Sequence, residues 1–401
     1  MFRKIFKAFQ YRNFRILWIG ACTSSIGSWM QQLAQAWLVL EISKSPFMLG
    51  LDAFLGDIPI FLFSLVGGVI ADRIDRRYVL LGSQFVQMGC AALLTLLIAL
   101  HRVEVWEILC LSFLVGTAQS FGGPAYSALV PSLVEKEDLS NAIAMNSIQF
   151  NLARVIGPVV GGLVLKNFGA AWCFGLNALS FVAVIISLYR LQINFNPPRT
   201  GESVLTSMKQ GFQFIRKQGA MEALIVLAFL MTALAIPTIT FLPVFAKDVF
   251  QRGPEALSMF LAFTGLGSIS GALIVAAIGN SKHKARIALS MLMLLGTVMA
   301  GFAQSKSIYV SCAFLYVAGA CLMFAFAMIS SLVQLITANE MRGRVMSVYN
   351  VAFRGGMPFG NLATGRLVPM FTAPVVIAAN GVLLFCLGFY FMVAKRRVAE
   401  L

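Results

Sequence analysis

Apolar residues in this chain fall into long runs separated by short polar connections. The runs lie near 14–40, 47–71, 78–100, 105–129, 141–165, 171–191, 221–245, 256–279, 285–303, 308–332, 345–369 and 374–394. Each has about twenty residues or more, the length a helix needs to cross the hydrocarbon core of a bilayer. The pattern predicts an all-α polytopic membrane protein with twelve transmembrane helices. The first run follows a basic start, MFRKIFKAFQYRNFR, of the kind that opens a secretion signal. It is too long for a signal's apolar segment and has no convincing small-residue cleavage site, so it reads as the first membrane helix.

The longest connection follows the sixth run. It opens with NPPRTGES, whose prolines and glycine stop a helix, and continues as VLTSMKQGFQFIRK. There Val204, Leu205, Met208, Phe212 and Ile215 share one face, and Lys209, Gln213, Arg216 and Lys217 the other. That is the pattern of an amphipathic helix lying on a cytoplasmic leaflet. It divides the chain into a six-helix bundle over 1–195, a linker over 196–220 and a second bundle over 221–401. The halves echo each other: NAIAMNSIQFNLARVIGPVVGG aligns without gaps on MRGRVMSVYNVAFRGGMPFGNL, matching Arg154 to Arg354 and Pro158 to Pro358.

Composition agrees with the runs. Of 401 residues, 59% are hydrophobic and 12% charged, where a soluble protein charges about a quarter. The net charge of +15 could suggest nucleic acid, but its placement says otherwise. With a cytoplasmic N-terminus, the inner segments hold Arg3, Lys4, Lys7, Arg12, Arg15, Arg73, Arg76, Arg77, Lys136, Arg190, Arg199, Lys209, Arg216, Lys217, Lys282, Lys284, Arg286, Arg342, Arg344, Lys395, Arg396 and Arg397. The outer loops hold only Lys44, Arg102, Lys166, Lys247, Arg252 and Lys306. This asymmetry predicts a bacterial-type inner-membrane protein with both termini cytoplasmic, in contact with anionic lipid and with no nucleic-acid partner. Seven cysteines with no C-x-x-C pair read as buried, inert thiols.

Catalytic chemistry is not expected. His101 and His283 lie in connections, leaving no histidine cluster for a metal or a triad, and no phosphate-binding loop is present. The chain is therefore read as a non-enzyme with no cofactor and no metal, working on an ion gradient or on its substrate's own gradient. One connection stands out: GGVIADRIDRRYVL, residues 67–80. Gly67 and Gly68 permit close helix contact, and the acid at Asp72 is not needed for topology.

Here the sequence resembles the major facilitator superfamily, whose hallmark between the second and third helices is G-x-x-x-D-R-x-x-R-R. Gly68, Asp72, Arg73, Arg76 and Arg77 match it, preceded by Gly67, while Asp75 stands where many members have glycine. The opening FRILWIGACTSSIGSWMQQLAQAWLVLEISKSP is similar to the drug and siderophore exporter branch. In ARVIGPVVGG, Gly157, Pro158, Gly161 and Gly162 match the superfamily's antiporter motif, with Ala153 in place of an upstream glycine. The resemblance implies two pseudo-symmetric six-helix bundles around a central cavity lined by the first, fourth, seventh and tenth helices, a gating role for the first motif, and export by exchange with protons. Candidate cavity residues are Ser28, Gln32 and Gln35, in a stripe with Ser25, then Gln119 with Thr117 and Ser120, Thr232, Thr238, Tyr309 and Tyr316. The same Ser and Gln stripe would also serve interhelical hydrogen bonds. Pro237 and Pro243 are expected to break the seventh helix, and Trp29, Phe241 and Phe314 are candidate aromatic walls.

Charges inside a membrane cost several kcal/mol unless paired or hydrated, so they are functional candidates. Asp52, Asp57, Arg154 and Arg354 lie within apolar runs, with Arg366 near the end of the eleventh. Ser147, Asn151 and Arg154 share a helical face, as do Asn350 and Arg354. At 1.5 Å per residue, Asp57 lies about 15 Å from one end of its helix and Arg354 about 13 Å from the opposite end of its own. Two expectations for Asp57 compete: a charge pair with Arg354 in one conformational state, or proton carriage at the cavity. Asp52, nearer the outer surface, is expected to be hydrated. The leading expectation is a monomeric, proton-coupled exporter of lipophilic or amphipathic small molecules. Lysophospholipid movement between leaflets and a transport-inactive binding protein of the same fold are the alternatives.

Overall fold

The computed structural model describes residues 6–191, 204–278 and 283–394. Arg3, Lys4, Arg199, Lys282, Lys395, Arg396, Arg397 and the NPPRTGE stretch of the linker lie outside the described residues, as do the side chains of Asp72, Val204, Leu205, Met208, Lys209 and Lys217. Twelve long helices follow in order: α1 (Arg12–Ser43), α2 (Pro46–Arg73), α3 (Arg76–Ala99), α4 (Val105–Leu129), α5 (Leu139–Phe168), α6 (Ala170–Arg190), α7 (Gly219–Thr240), α8 (Pro254–Ile278), α9 (Lys284–Gln304), α10 (Ile308–Ile336), α11 (Arg342–Phe371) and α12 (Ala373–Val393). No strand occurs among the described residues. Among the described residues, ten helices are long and apolar enough to span a bilayer by length and composition alone. The other two, α1 and α11, are as long but carry the Ser, Gln, Asn and Arg side chains singled out above.

Local chemistry sets the helix ends. Asp75 caps α3 by accepting from the Arg77 amide at 2.9 Å, and Glu104 with Glu107 forms a capping box on α4. Gly169, at φ 86°, turns the chain sharply between α5 and α6. Of the two prolines expected to break the seventh helix, Pro237 lies inside α7, which runs on to Thr240. The break comes at Phe241, after which the chain resumes over Leu242–Val244, with Pro243 in the first turn, before a π-helical turn over Phe245–Val249.

The chain divides into two compact units, Met1–Ser43 with Leu55–Thr200, and Lys44–Phe54 with Gly201–Leu401. The first turns of α2 thus belong to the second unit, where the Phe54 ring meets Phe359 edge-on at 6.2 Å. The division falls one turn before Pro59, which has no amide to donate to the Leu55 carbonyl and so weakens the helix there.

Inside each unit the same pairings recur. In the first, α1 packs on α5 and α6, and α3 on α4 and α6; in the second, α7 packs on α11 and α12, and α9 on α10 and α12. That correspondence is the structural form of the faint sequence repeat. The linker helix (Val204–Lys217) is not a simple lipid-facing element. Ile215 is 3% exposed in the core of the second unit, whereas Phe212 is 53% exposed under the Arg216 guanidinium. Of the seven free cysteines, Cys110 and Cys386 are exposed on helix surfaces, which corrects the expectation that all are buried.

Candidate functional site

The segment after α2 ties helix ends together. Arg76 donates through Nη1 to the Ala128 carbonyl at 2.8 Å, in the last turn of α4. Arg77 donates through Nη2 to Tyr189 O at 2.8 Å and through Nη1 to Leu191 O at 3.1 Å, at the end of α6. The last carbonyls of a helix have no partner within it and carry partial negative charge, so a guanidinium satisfies them by hydrogen bond and by dipole. Asp75, by capping α3, fixes the register that aims both arginines. Gly67 lets α2 approach α4, because a β-carbon there would fall on the Ser120 carbonyl. Gly68 meets nothing comparable and Arg73 is exposed. The motif therefore has a clamp of three residues and a remainder, Gly68 and Arg73, that the first unit does not engage.

The glycines around Pro158 have the same logic. A β-carbon on Gly157 would run into Trp29 and the Ile26 carbonyl of α1, and one on Gly161 would press on Met30. Gly157, Pro158, Gly161 and Gly162 are all buried. The second unit repeats the arrangement, with Gly356 and Gly360 of α11 set against α7 around Pro358.

The polar stripe of α1 splits in two. Gln149 of α5 donates to Ser25 Oγ at 2.7 Å, Gln35 donates to Ser112 Oγ of α4 at 2.8 Å, and Ser28 returns to the Ser24 carbonyl of its own helix. These are interhelical and local bonds. Gln32 alone of the stripe is exposed. Gln119 is also exposed and donates to Gln87 Oε1 at 3.2 Å. Sequence reasoning missed the polar residues that complete this packing: Gln149, Gln87, and the Asn177–Gln31 bond between α6 and α1 at 2.5 Å. The signal for them was the same as for the stripe, an amide in an otherwise apolar run.

In the second unit, Thr232 is fully buried and donates to the Phe353 carbonyl of α11 at 2.9 Å, so it holds two helices together. Thr238 is buried beside a small apolar void with Leu295, Met299 and Leu315. The structure thus moves both threonines from a cavity wall into packing. Tyr309 is 77% exposed in the first turn of α10, the position of an interfacial aromatic residue. Tyr316 remains partly exposed, its hydroxyl 2.6 Å from Ser270 Oγ of α8. Of the aromatic candidates, Phe241 is fully buried and Phe314 packs over Gly301. Trp29 is half-buried and meets the Phe150 ring edge-on at 5.8 Å.

The intramembrane charges have distinct settings. Asp52 is 8% exposed, which corrects the expectation that it is freely hydrated. Asp57 is half-buried in the first unit, in the turn weakened by Pro59. Arg154 is half-buried, its guanidinium 5.7 Å from the Trp29 ring centroid. Arg354 and Arg366 are exposed in the second unit. Both Arg154 and Arg354 stand four residues before a proline, which leaves their carbonyls without the usual helical donor.

One cluster had no forerunner in the sequence reading. The short 3-10 helix Lys7–Gln10 is fastened to the α4–α5 connection through Asp138. Lys7 Nζ lies 2.7 Å from Asp138 Oδ1, Gln10 and Tyr11 both donate to Oδ2 at 2.9 Å, and Ala8 N donates to Asn141 Oδ1 at 2.9 Å. The bond to the Asp138 carboxylate holds the Lys7 ammonium above its ordinary 10.5. Burial, then that same hydrogen bond, pushes the Tyr11 phenol up.

No group of histidine, cysteine or carboxylate side chains that could hold a metal occurs among the described residues. What the two units do present is a repeated six-helix packing, arginine-clamped helix ends and charges within membrane-length helices. These define a multi-pass helical membrane protein. Residues 4–400 match the model of the transmembrane secretion effector family, and the chain belongs to that family, within the drug and siderophore exporter branch of the major facilitator superfamily. It is 21% identical over 392 residues to macrolide efflux protein A of Streptococcus pyogenes, covering 94% of this chain and 96% of that one. It is 28% identical over 388 residues to the enterobactin exporter EntS of Escherichia coli, covering 94% and 90%. Its fold is similar to those of a mutant of the nucleoside transporter NupG (TM-score 0.77, 14% identity, 95% and 98% covered) and a bacterial homologue of the human lysosomal transporter Spinster (TM-score 0.76, 13% identity, 97% of each).

Proposed function

We propose that the protein exports amphipathic or lipophilic small molecules, drug-like or siderophore-like, in exchange for protons, by alternating access and as a monomer. The observation that carries the reading is the match to exporters over nearly the whole chain, joined to a carboxylate at Asp57 inside a membrane helix. Protonation switches the charge of Asp57 within a membrane helix, and Pro59 loosens the helix turn in which that group sits. A proton can therefore change the balance between conformations at this turn. The positive charge gathered on alternate connections supports an inner-membrane location with cytoplasmic termini.

Purified protein in proteoliposomes provides the test, with a macrolide and enterobactin as first probes and an imposed pH gradient. The proposal expects substrate movement coupled to counter-movement of protons and abolished by a protonophore. Substrate movement that ignores the gradient would overturn the proton coupling, and gradient-driven uptake of a small, highly charged anion in preference to the probes would overturn the substrate class.

A further inference from the structure

We propose that Arg154 and Trp29 form a subsite for an anionic group, so that the preferred cargo is an acidic amphiphile rather than a base. The inference rests on the export reading and narrows its substrate class. Arg154 lies about 22 Å along α5 from Leu139, at 1.5 Å per residue, near the middle of a 30-residue helix. A guanidinium at such a depth is costly unless something answers its charge. Among the described residues it makes no ion pair and no hydrogen bond; its recorded contact is the face of the Trp29 ring at 5.7 Å. A ring face offsets part of a cation's charge but accepts none of the guanidinium's five N–H donors in the strong, directional way a carboxylate does.

The surroundings of Arg154 are amphipathic, with polar and apolar side chains next to each other. On α5, Ser147, Asn151 and Arg154 share a face flanked by the exposed apolar Ile143 and Phe150, while Ile148, Leu152, Val159 and Leu163 lie on another side. Ser147 and Asn151 donate to the Ile143 and Ser147 carbonyls of their own helix, and neither side chain bonds to the guanidinium. One turn beyond Trp29 on α1, Gln32 is exposed and adds a neutral donor and acceptor. Trp29, braced edge-on by Phe150, offers a flat apolar surface beside the charge. A fixed guanidinium fork with an aromatic plane beside it suits a carboxylate or phosphate attached to an apolar body, and it repels a protonated amine.

The test uses dansyl-labelled undecanoic acid, its primary amide and the corresponding amine, which differ only in head group. Binding to the full-length protein and gradient-driven movement in proteoliposomes are measured for wild type, Arg154→Gln and Arg154→Lys. Wild type should bind the acid at least about tenfold more tightly than the amide, with the amine weakest. Arg154→Gln should lose that preference while keeping amide affinity, which also shows that the variant is folded, and Arg154→Lys should keep part of it. Equal handling of the three probes by wild type, or an acid preference that survives Arg154→Gln, overturns the inference and leaves export standing. Acid-selective binding without gradient-driven movement of any probe supports the subsite and refutes the export reading.

Discussion

Replacing Arg77 by alanine should loosen the first unit in a way its neighbour Arg73 does not. Arg77 makes two charge-assisted bonds to carbonyls at the end of α6, at 2.8 Å and 3.1 Å, one of them exposed and one part-buried. A buried bond to a charged donor contributes about 1.5–3 kcal/mol, and solvent screening reduces the exposed one toward a few tenths. The part-buried bond falls below that full range, so the pair together contributes about 1–2 kcal/mol. For a unit of this size that corresponds to roughly 2–8 °C in melting temperature. Heating with a thiol-reactive probe, read by mass spectrometry, separates the units: Cys90 and Cys173 are buried in the first, Cys312 and Cys321 in the second. Arg77→Ala should advance labelling of the first pair, Arg77→Lys should recover less than half the loss because an ammonium cannot fork across two carbonyls, and Arg73→Ala should match wild type. If Arg77→Ala melts like wild type, or if Arg73→Ala destabilises as much, the helix-end clamp is not what the motif provides.

Two further outcomes follow from the geometry. Gly157→Val places methyl groups where Trp29 and the Ile26 carbonyl already lie; overpacking of this kind costs roughly 1–3 kcal/mol or more, so detergent melting should fall and transport should be lost, whereas the exposed-side change Val159→Ala should alter neither much. At the N-terminus, the lowered Asp138 carboxyl and the raised Lys7 and Tyr11 groups mean that the tether is fully present above the carboxyl's ordinary 3.8 and below pH about 10. It is lost in acid as pH falls through the lowered Asp138 value, and is released in base as pH rises through the folded values, above 10.5 for Lys7. Fluorescence anisotropy of a label on Phe6→Cys should stay flat between those limits and fall beyond them, with Asp138→Asn low throughout; a midpoint near neutrality would contradict the assignment.

The membrane architecture was legible because span length and apolar content are local properties: the twelve runs coincide with the twelve long helices to within a few residues at most ends. Partnership was not. Helical spacing placed Ser25, Ser28, Gln32 and Gln35 in one stripe, but only the neighbouring helices decide that Ser25 and Gln35 are bonded while Gln32 stays open. Thr232 looked like a cavity residue because a hydroxyl in an apolar run is ambiguous; the Phe353 carbonyl, 121 positions away, resolves it. Arg76 and Arg77 read as topology charges and members of a gating motif rather than as helix-end clamps, since the helix ends they hold lie 52 and more than 100 residues further along. The Asp138 tether was invisible for the same reason, joining residues 127 or more apart. Asp52 misled through position: nearness to a helix end suggested water, but the first turns of α2 are packed within the second unit.

The most direct measurement of the account is gradient-driven transport by wild type and Asp57→Asn in proteoliposomes, with binding of the same cargo measured in parallel. The account predicts that wild type moves cargo against its gradient at the expense of a proton gradient, and that Asp57→Asn still binds cargo but no longer responds to pH. Undiminished, pH-driven transport by Asp57→Asn would contradict it.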